Sequence, residues 1–135
     1  MDAPTVTIGK VTATLVKPRA TLVLALTRSE EDVEGATQEV ATLIGCAALA
    51  ACWPTDTAWP VNARPARWVP GQPVETYGAL VFDDLVEFGI PMLDLLGSAD
   101  GDGPLTIAHR WALFSRLKSD EVRAVEDFSE APPGA

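Results

Sequence analysis

Residues 40–54 read VATLIGCAALAACWP, an apolar run that ends in a Trp-Pro pair. The run is shorter than the roughly 20 residues needed to span a bilayer, so a membrane helix is not expected. Its first half has helical spacing and its second half is apolar on every side, which is typical of a helix at the centre of a domain. We expect a helix over 29–53, with Thr27 or Ser29 as its N-cap and the acidic residues 30–32 in its first turn.

A segment rich in tryptophan and proline follows this helix. Five prolines lie between residues 54 and 73, and each lacks the amide hydrogen that helices and sheets use. We therefore expect an irregular loop over 54–73. Residues 74–91 then read VETYGALVFDDLVEFGIP, which predicts a second helix over 74–88 with Gly89 as its C-terminal cap.

Two further helices are expected after Pro91. The first is short and ends before Gly97, and its apolar residues, all expected to pack, are Met92, Leu93, Leu95 and Leu96. Residues 100–103 alternate Asp and Gly and predict a turn. The second helix is amphipathic, and its apolar residues are Ile107, Trp111, Phe114 and Leu117.

The N-terminal residues alternate in the manner of β-strands. Residues 5–8 and 11–15 each alternate apolar and polar, but the parity shifts across Gly9-Lys10, which predicts a bulge or a tight hairpin turn. Pro18 suits the first turn of a helix from 19 to about 26, although residues 21–24 fit a third strand equally well.

Together these elements predict an α+β fold that is predominantly α-helical, with a short N-terminal β-hairpin followed by four to five helices and a Trp/Pro-rich irregular segment. One globular domain is expected over 1–119, and an acidic, flexible tail over 120–135. Within the domain we assign 1–17 to the hairpin, 18–53 and 74–119 to helices, and 54–73 to the Trp/Pro-rich loop.

Charge narrows the classes of function. A formal net charge of -9 over 135 residues disfavours nucleic acid and anionic membrane surfaces as partners, because both attract clustered Lys and Arg. Residues 30–56 and 75–102 carry acids and no base, while basic residues lie on either side of these stretches. The acidic stretches are either solvated helix faces or patches that guide contact with a partner or with a second copy of the chain.

The two cysteines, Cys46 and Cys52, are six residues apart on the predicted helix. At about 100° per residue they point roughly 240° apart, so they can neither form a disulfide nor share a metal ion. We interpret both as small buried apolar residues. The N-terminus has no secretory signal pattern. Together with two cysteines that cannot pair, this favours the reducing cytoplasm as the location of the protein.

Two polar patterns resemble catalytic or metal sites. Residues 98–103 match the first half of an EF-hand loop, but Ser98 stands at the first ligand position and His109 at the twelfth, where carboxylates are required. His109 and Ser115 are the residue types of a nucleophilic pair, but their spacing of six places them on different helix faces. We interpret the first pattern as a turn and His109 as a helix-surface or interface residue.

A third pattern is the acidic run Asp83, Asp84 and Glu87. Asp83 and Glu87 share a helix face, but a carboxylate site requires acids that converge from several elements. We interpret the run as a solvated acidic face. The sequence therefore predicts no catalytic residue, no metal site, no cofactor and no small-molecule ligand.

Aromatic residues are concentrated around the Trp/Pro-rich loop. A stiff segment that presents aromatic rings loses little entropy when it docks on a partner, but the same rings can fold back over the alanine-rich helix. Both readings stay open at this point. The candidate partner-binding residues are Trp59, Trp68, Tyr77, Phe82 and Phe88.

Four stretches, in this order along the chain, resemble a known family. They are Thr7-Ile8-Gly9, Pro18-Arg19-Ala20, the run from Ala48 to Pro54 and the run from Tyr77 to Pro91. Over about residues 5–110 the chain resembles the small tail assembly chaperones of long-tailed phages and prophages.

This resemblance implies a non-enzymatic chaperone in the infected bacterial cytoplasm that is absent from the mature virion. Its implied partner is the tape measure protein, which it keeps soluble during tail tube polymerisation, with the tail tube protein as a second candidate. The alternative is a virion adaptor, such as a tail-completion or head-tail joining protein. A small enzyme built on the carboxylates Asp83, Asp84 and Glu87 with His109 is a third and less favoured alternative.

Overall fold

The computed structural model describes residues 2–32, 38–98 and 101–116. The chain begins with a hairpin of two strands and continues as helices, which confirms the predicted α+β, predominantly helical fold. The elements in chain order are β1 (Thr5–Ile8), β2 (Val11–Thr14), α1 (Ala20–Asp32), α2 (Gln38–Cys52), α3 (Val74–Glu87), α4 (Met92–Leu96), β3 (Gly97–Ser98), β4 (Gly101–Asp102) and α5 (Pro104–Phe114). No helix within the described residues is both long enough and apolar enough to cross a bilayer.

The strands β1 and β2 pair antiparallel around the two residues Gly9-Lys10, with Ile8 opposite Val11. The shift in alternation therefore comes from a tight turn and not from a bulge. Val6 and Ile8 lie in the core, at 4% and 0% exposure. The opposite face of the hairpin is exposed, and its threonines form cross-strand hydroxyl hydrogen bonds of 3.0 Å (Thr5 with Thr14) and 2.9 Å (Thr7 with Thr12).

The first helix differs from expectation at its end. Residues 21–24 are helical, and α1 continues to Asp32, so Thr27 and Ser29 lie inside α1 and do not cap a helix over 29–53. The predicted start of that helix is wrong, because Ser29 lies within α1, and the next helix, α2, spans Gln38–Cys52. Thr27 instead donates its hydroxyl hydrogen to the Val23 carbonyl one turn earlier, at 2.8 Å. A threonine satisfied in this way is tolerated inside a helix and gives no boundary.

The helix α2 is the central element, as the apolar run predicts. It packs against both α3 and α5, and its residues from Ile44 to Cys52 are buried apart from the half-buried Ala51. At the contact with α3 the two backbones touch. A Cβ atom added to Gly78 would lie 1.8 Å from the carbonyl oxygen of Leu43, so only glycine fits there.

The helix α3 ends as predicted. Gly89 has a φ of 105°, its N–H donates to Val86 at 3.2 Å, and the Ile90 N–H donates to Leu85 at 3.0 Å. This pair of hydrogen bonds is a Schellman motif, which satisfies the last carbonyls of the helix. Phe88 is the C-cap residue of α3.

The short helix α4 packs less of its surface than predicted. Leu95 is fully buried and Leu96 is partly buried, but Met92 is 50% exposed and Leu93 is 77% exposed. The expectation that all four side chains pack is therefore wrong for Met92 and Leu93. A helix of five residues can turn only one side toward the core, and in α4, which packs against α5, that side holds Leu95 with Leu96 at its edge.

The last helix, α5, begins with Pro104 and buries Trp111, as its periodicity predicts, whereas Ile107 and Phe114 are only partly buried and Leu105, which the prediction did not include, is buried. The Trp111 indole N–H donates to the carbonyl of Val16 at 2.9 Å, and the Val16 N–H donates to the carbonyl of Cys52 at 2.8 Å. The chain after the hairpin is thus attached to both α5 and the end of α2. The predicted apolar residue Leu117 and the predicted tail lie outside the described residues.

Candidate functional site

The Trp/Pro segment, which we define as residues 53–73, folds back onto the core in spite of its irregular backbone. Trp53 is 1% exposed, and its indole N–H donates to the carbonyls of Thr57 and Ala58 at 3.2 and 3.1 Å. The ring of Trp59 meets Trp53 edge-on, with centroids 5.2 Å apart and planes at 80°. This is a favourable geometry for aromatic rings, and it places both residues inside the protein.

The second half of the segment is held in the same way. The indole N–H of Trp68 donates to the Gln72 carbonyl at 2.9 Å, and the Tyr77 hydroxyl donates to the Ala66 carbonyl at 2.8 Å. Burial raises the pKa of Tyr77, and a backbone hydrogen bond with Trp68 and the nearby Arg64 charge offset part of that rise. Side-chain donors therefore satisfy backbone carbonyls that have no helix or strand partner.

Arg64 joins the segment to the end of α2. Its guanidinium donates one hydrogen bond to the carbonyl of Pro54 at 2.9 Å and another to the carbonyl of Trp53. A guanidinium presents several donors in a fixed plane, so two carbonyls can hold it in one orientation. Its position is consequently set by the fold, although its side chain lies at the surface.

A groove of about 180 Å³ separates the Trp/Pro segment from the chain between β2 and α1. Buried side chains of Ala50, Trp53, Trp68 and Tyr77 line its interior. No carboxylate is among the described residues that line it. We call it the basic groove, because four exposed basic residues line it: Lys17, Arg19, Arg64 and Arg67.

Sequence reasoning missed the basic groove. Lys17 and Arg19 precede α1 while Arg64 and Arg67 follow α2, and only the fold brings the two pairs to one place. A signal was nevertheless present, since Arg64 and Arg67 are the only basic residues between 29 and 109. Two isolated arginines inside a segment of tryptophan and proline are a reason to look for a charged surface there.

A second surface is apolar and lies where α3 meets α4. We call it the apolar junction and define it as Phe88, Met92 and Leu93, which are 54%, 50% and 77% exposed. Ile90, between them in sequence, is 8% exposed and fixes the backbone of the turn. Glu87 and Asp94 flank these residues in the sequence and are exposed.

The five predicted partner-binding residues divide between these regions. Trp59, Trp68 and Tyr77 are buried in the protein's own core, at 7%, 5% and 5% exposure. Phe82 is partly buried against the same core, and Phe88 belongs to the apolar junction. The rings of Trp59 and Trp68 therefore cover this protein's own core, and Phe88 offers the most surface to a partner. Partner binding by the five residues stays a prediction.

The described structure does not bring the polar residues of the three sequence patterns together into one site. Asp83, Asp84 and Glu87 lie on one helix, and within the described residues no group of three or more His, Cys, Asp or Glu side chains could hold a metal ion. In the EF-hand-like stretch, Asp102 forms an ion pair with Arg110 at 3.0 Å, and residues 99–100 lie outside the described residues.

His109 and Ser115 are both at α5. His109 lies within the helix and lines a separate cavity beside Thr42 and Thr106, whereas Ser115 is the C-cap residue. The cavity is lined by α2, α4 and α5 and is not part of the basic groove.

Both cysteines behave as apolar residues. Cys46 and Cys52 are free and fully buried, and burial raises the pKa of each thiol to about 12. A thiol that stays protonated is a poor nucleophile and a poor metal ligand. The interpretation of both residues as small buried side chains is confirmed.

Comparison with known proteins finds no match: no protein-family model, no curated protein and no solved structure matches the chain. Function is therefore inferred from the two surfaces described above and from the order of elements along the chain.

Proposed function

We propose that this protein is a non-enzymatic tail assembly chaperone that binds the tape measure protein and keeps it soluble while tail tube subunits polymerise around it. The single observation that carries the proposal is the apolar junction. Phe88, Met92 and Leu93 expose half or more of their surface on a backbone that the fold holds in place.

Scattered exposed apolar residues are normal on any protein. The junction differs because its three large side chains lie within six residues, next to a Schellman turn and to the fully buried Leu95. Fully burying one such side chain contributes about 1.5 to 3 kcal/mol. A partner helix with an apolar stripe can gain this free energy by packing on the junction.

The flanking acids Glu87 and Asp94 select among such partners. An apolar stripe bordered by lysine or arginine is favoured, while an acidic border is repelled. The acids also add charge beside the apolar residues, which opposes aggregation of the free protein. The tape measure protein is the proposed partner, and the tail tube protein is the second one.

The test is co-expression of the full chain with the candidate tape measure protein of the same genome. We expect Phe88→Ser/Leu93→Ser to leave the chaperone folded and to weaken its binding of the tape measure protein at least about tenfold, the equivalent of about 1.4 kcal/mol, so that less tape measure protein stays soluble. The matched control is Leu24→Ser/Val69→Ser, which changes two apolar residues exposed by 65% and 54% outside the junction.

Equal solubility of the tape measure protein with the junction variant and with the control would overturn the proposal. Mass spectrometry of purified particles separates the proposal from its alternative. A chaperone is absent from finished particles, whereas detection of the chain in stoichiometric amounts would assign it to the virion as an adaptor.

A further inference from the structure

The charge of the basic groove contrasts with the charge of the whole protein. The chain carries 19 acidic and 10 basic residues, yet four of those 10 basic residues line the groove and none of the described residues lining it is acidic. In an acidic protein, a local positive potential of this kind arises only where the fold brings basic side chains together. The groove is therefore an electrostatic feature distinct from the surface around it.

The walls of the groove are fixed before any ligand arrives. On one side, two carbonyls hold Arg64, and hydrogen bonds from Trp68 and Tyr77 hold the segment that carries Arg67. On the other side, the hydrogen bonds of Val16 to Cys52 and Trp111 hold the chain that carries Lys17. Charged donors on a fixed frame lose little entropy on binding an anionic partner.

The shape of the groove decides between classes of anion. Its volume of about 180 Å³ is below the roughly 300 Å³ at which pockets for drug-sized ligands begin, but its four cations stand on two separate walls. Single-stranded nucleic acids require aromatic faces on which bases stack, and the rings here are buried at 1% to 5% exposure for Trp53, Trp68 and Tyr77.

We infer that the basic groove binds an acidic segment of a partner polypeptide, with carboxylates pairing to Lys17 and Arg19 on one wall and to Arg64 and Arg67 on the other. A short apolar side chain between those carboxylates packs against Val16 and the half-buried Ala51, which also line the groove. Carboxylate and guanidinium groups form bidentate, charge-assisted hydrogen bonds, which favours Glu or Asp over an uncharged segment. This site goes beyond the proposed chaperone function and does not depend on the apolar junction.

The test measures binding of a fluorescein-labelled peptide of alternating glutamate and alanine to the full chain by fluorescence anisotropy. We expect saturable binding that weakens as salt is added, since exposed charges are screened. In Arg19→Glu/Arg67→Glu both changed residues are exposed, and we expect Kd for the peptide to rise at least about tenfold.

The matched control is Lys10→Glu/Arg28→Glu. It changes the net charge by the same amount at two exposed residues outside the groove, so Kd is expected to change less than about twofold. Equal weakening in both variants would show a general charge effect and would overturn the site. The apolar-junction variant Phe88→Ser/Leu93→Ser should bind the peptide like the parental chain, so failure of this inference and failure of the chaperone proposal are distinguishable.

The same assay can identify two other ligands of the basic groove. An oligothymidylate that binds through Arg19 and Arg67 as tightly as the peptide does would overturn the polypeptide assignment in favour of nucleic acid. The full chain with Glu126→Gln/Asp127→Asn/Glu130→Gln is expected to bind the peptide like the parental chain. A Kd lowered about tenfold or more by these changes would instead assign the groove to the chain's own acidic C-terminal residues.

Discussion

The Trp/Pro segment and the apolar junction treat their large apolar side chains in opposite ways. The segment holds Trp53, Trp59 and Trp68 and exposes 1% to 7% of each, although its backbone forms no regular element. The junction joins two regular helices and leaves Phe88 and Leu93 more than half exposed. Aromatic density in the sequence therefore does not mark the surface that faces a partner.

The difference follows from what the local backbone needs. In the Trp/Pro segment the backbone carbonyls lack the regular hydrogen-bond partners of a helix or a sheet. The indole N–H groups of Trp53 and Trp68 donate to these carbonyls, which requires the rings to point inward. At the junction, the hydrogen bonds from Gly89 and Ile90 already close the end of α3. Phe88 follows the last turn of α3, and on the five-residue helix α4 the inward position is taken by Leu95, so Phe88, Met92 and Leu93 stay at the surface.

The strongest test of this contrast removes a ring from the Trp/Pro segment. Trp68→Ala is expected to lower the free energy of unfolding by about 3 to 5 kcal/mol, because a buried ring leaves a cavity and the Gln72 carbonyl loses its donor. Urea unfolding followed by circular dichroism measures the change. A loss below about 1 kcal/mol would mean that the segment does not belong to the core.

A matched pair within the segment separates packing from hydrogen bonding. Trp59 is buried, but its indole nitrogen has no hydrogen-bond partner among the described residues, whereas Trp68 donates to Gln72. Trp68→Phe should therefore destabilise more than Trp59→Phe, by about 1 kcal/mol, which is the usual net contribution of one hydrogen bond. The opposite order would contradict the role assigned to the indole donors.

Much of the fold was predictable because local rules and packing agree. The run that is apolar on every side predicts the buried helix α2. Gly89 predicts the end of α3, because the left-handed residue that follows a helix is favoured to be glycine by its own backbone conformation. The boundary at Thr27 was wrong for a related reason. A threonine can cap a helix or donate to the carbonyl one turn earlier, and only the surrounding structure decides between the two.

Alkaline pH provides a third test, because it acts on titratable groups buried in the core, namely Cys46, Cys52 and Tyr77. The pKa of each thiol, Cys46 and Cys52, is raised from 9.0 to about 12, so folding favours the protonated form. That stabilisation is fully present below pH 9 and is lost as the pH rises toward 12. Above pH 9 the free energy of unfolding should fall by about 1.4 kcal/mol per pH unit for each thiol.

The measurement is urea unfolding at a series of pH values from neutral to alkaline. Tyr77, whose pKa is also raised by burial, adds to the loss above its ordinary value of 10. Cys46→Ala/Cys52→Ala is the control, and it should reduce the slope that begins near pH 9 while leaving the contribution of Tyr77. A parental chain with the same slope as this variant would contradict the burial of the thiols.

The candidate sites were less predictable than the fold, for two physical reasons. The basic groove joins residues on either side of α1 and α2, so its charge exists only after folding. The apolar junction was hidden because Met92 and Leu93 have the composition of a core stripe, and a short helix can bury one stripe only. The spacing of residues along the chain shows neither the charge of a surface that forms on folding nor which side of a short helix faces the solvent.

The smallest expected effect is on the stability of the apolar junction, and it sharpens the comparison most. Leu93 is 77% exposed, so Leu93→Ser should change the free energy of unfolding by less than about 0.5 kcal/mol. Leu95→Ser, two residues later at a side chain with 0% exposure, should cost about 2 to 5 kcal/mol. Urea unfolding of both variants provides the measurement.

A loss of comparable size in the two variants would mean that Leu93 packs within the protein, and the apolar junction would no longer be a surface for a partner. A neutral Leu93→Ser has the opposite meaning. Such a leucine stays available to a partner, and the proposed co-expression test with the tape measure protein measures whether it contributes to binding.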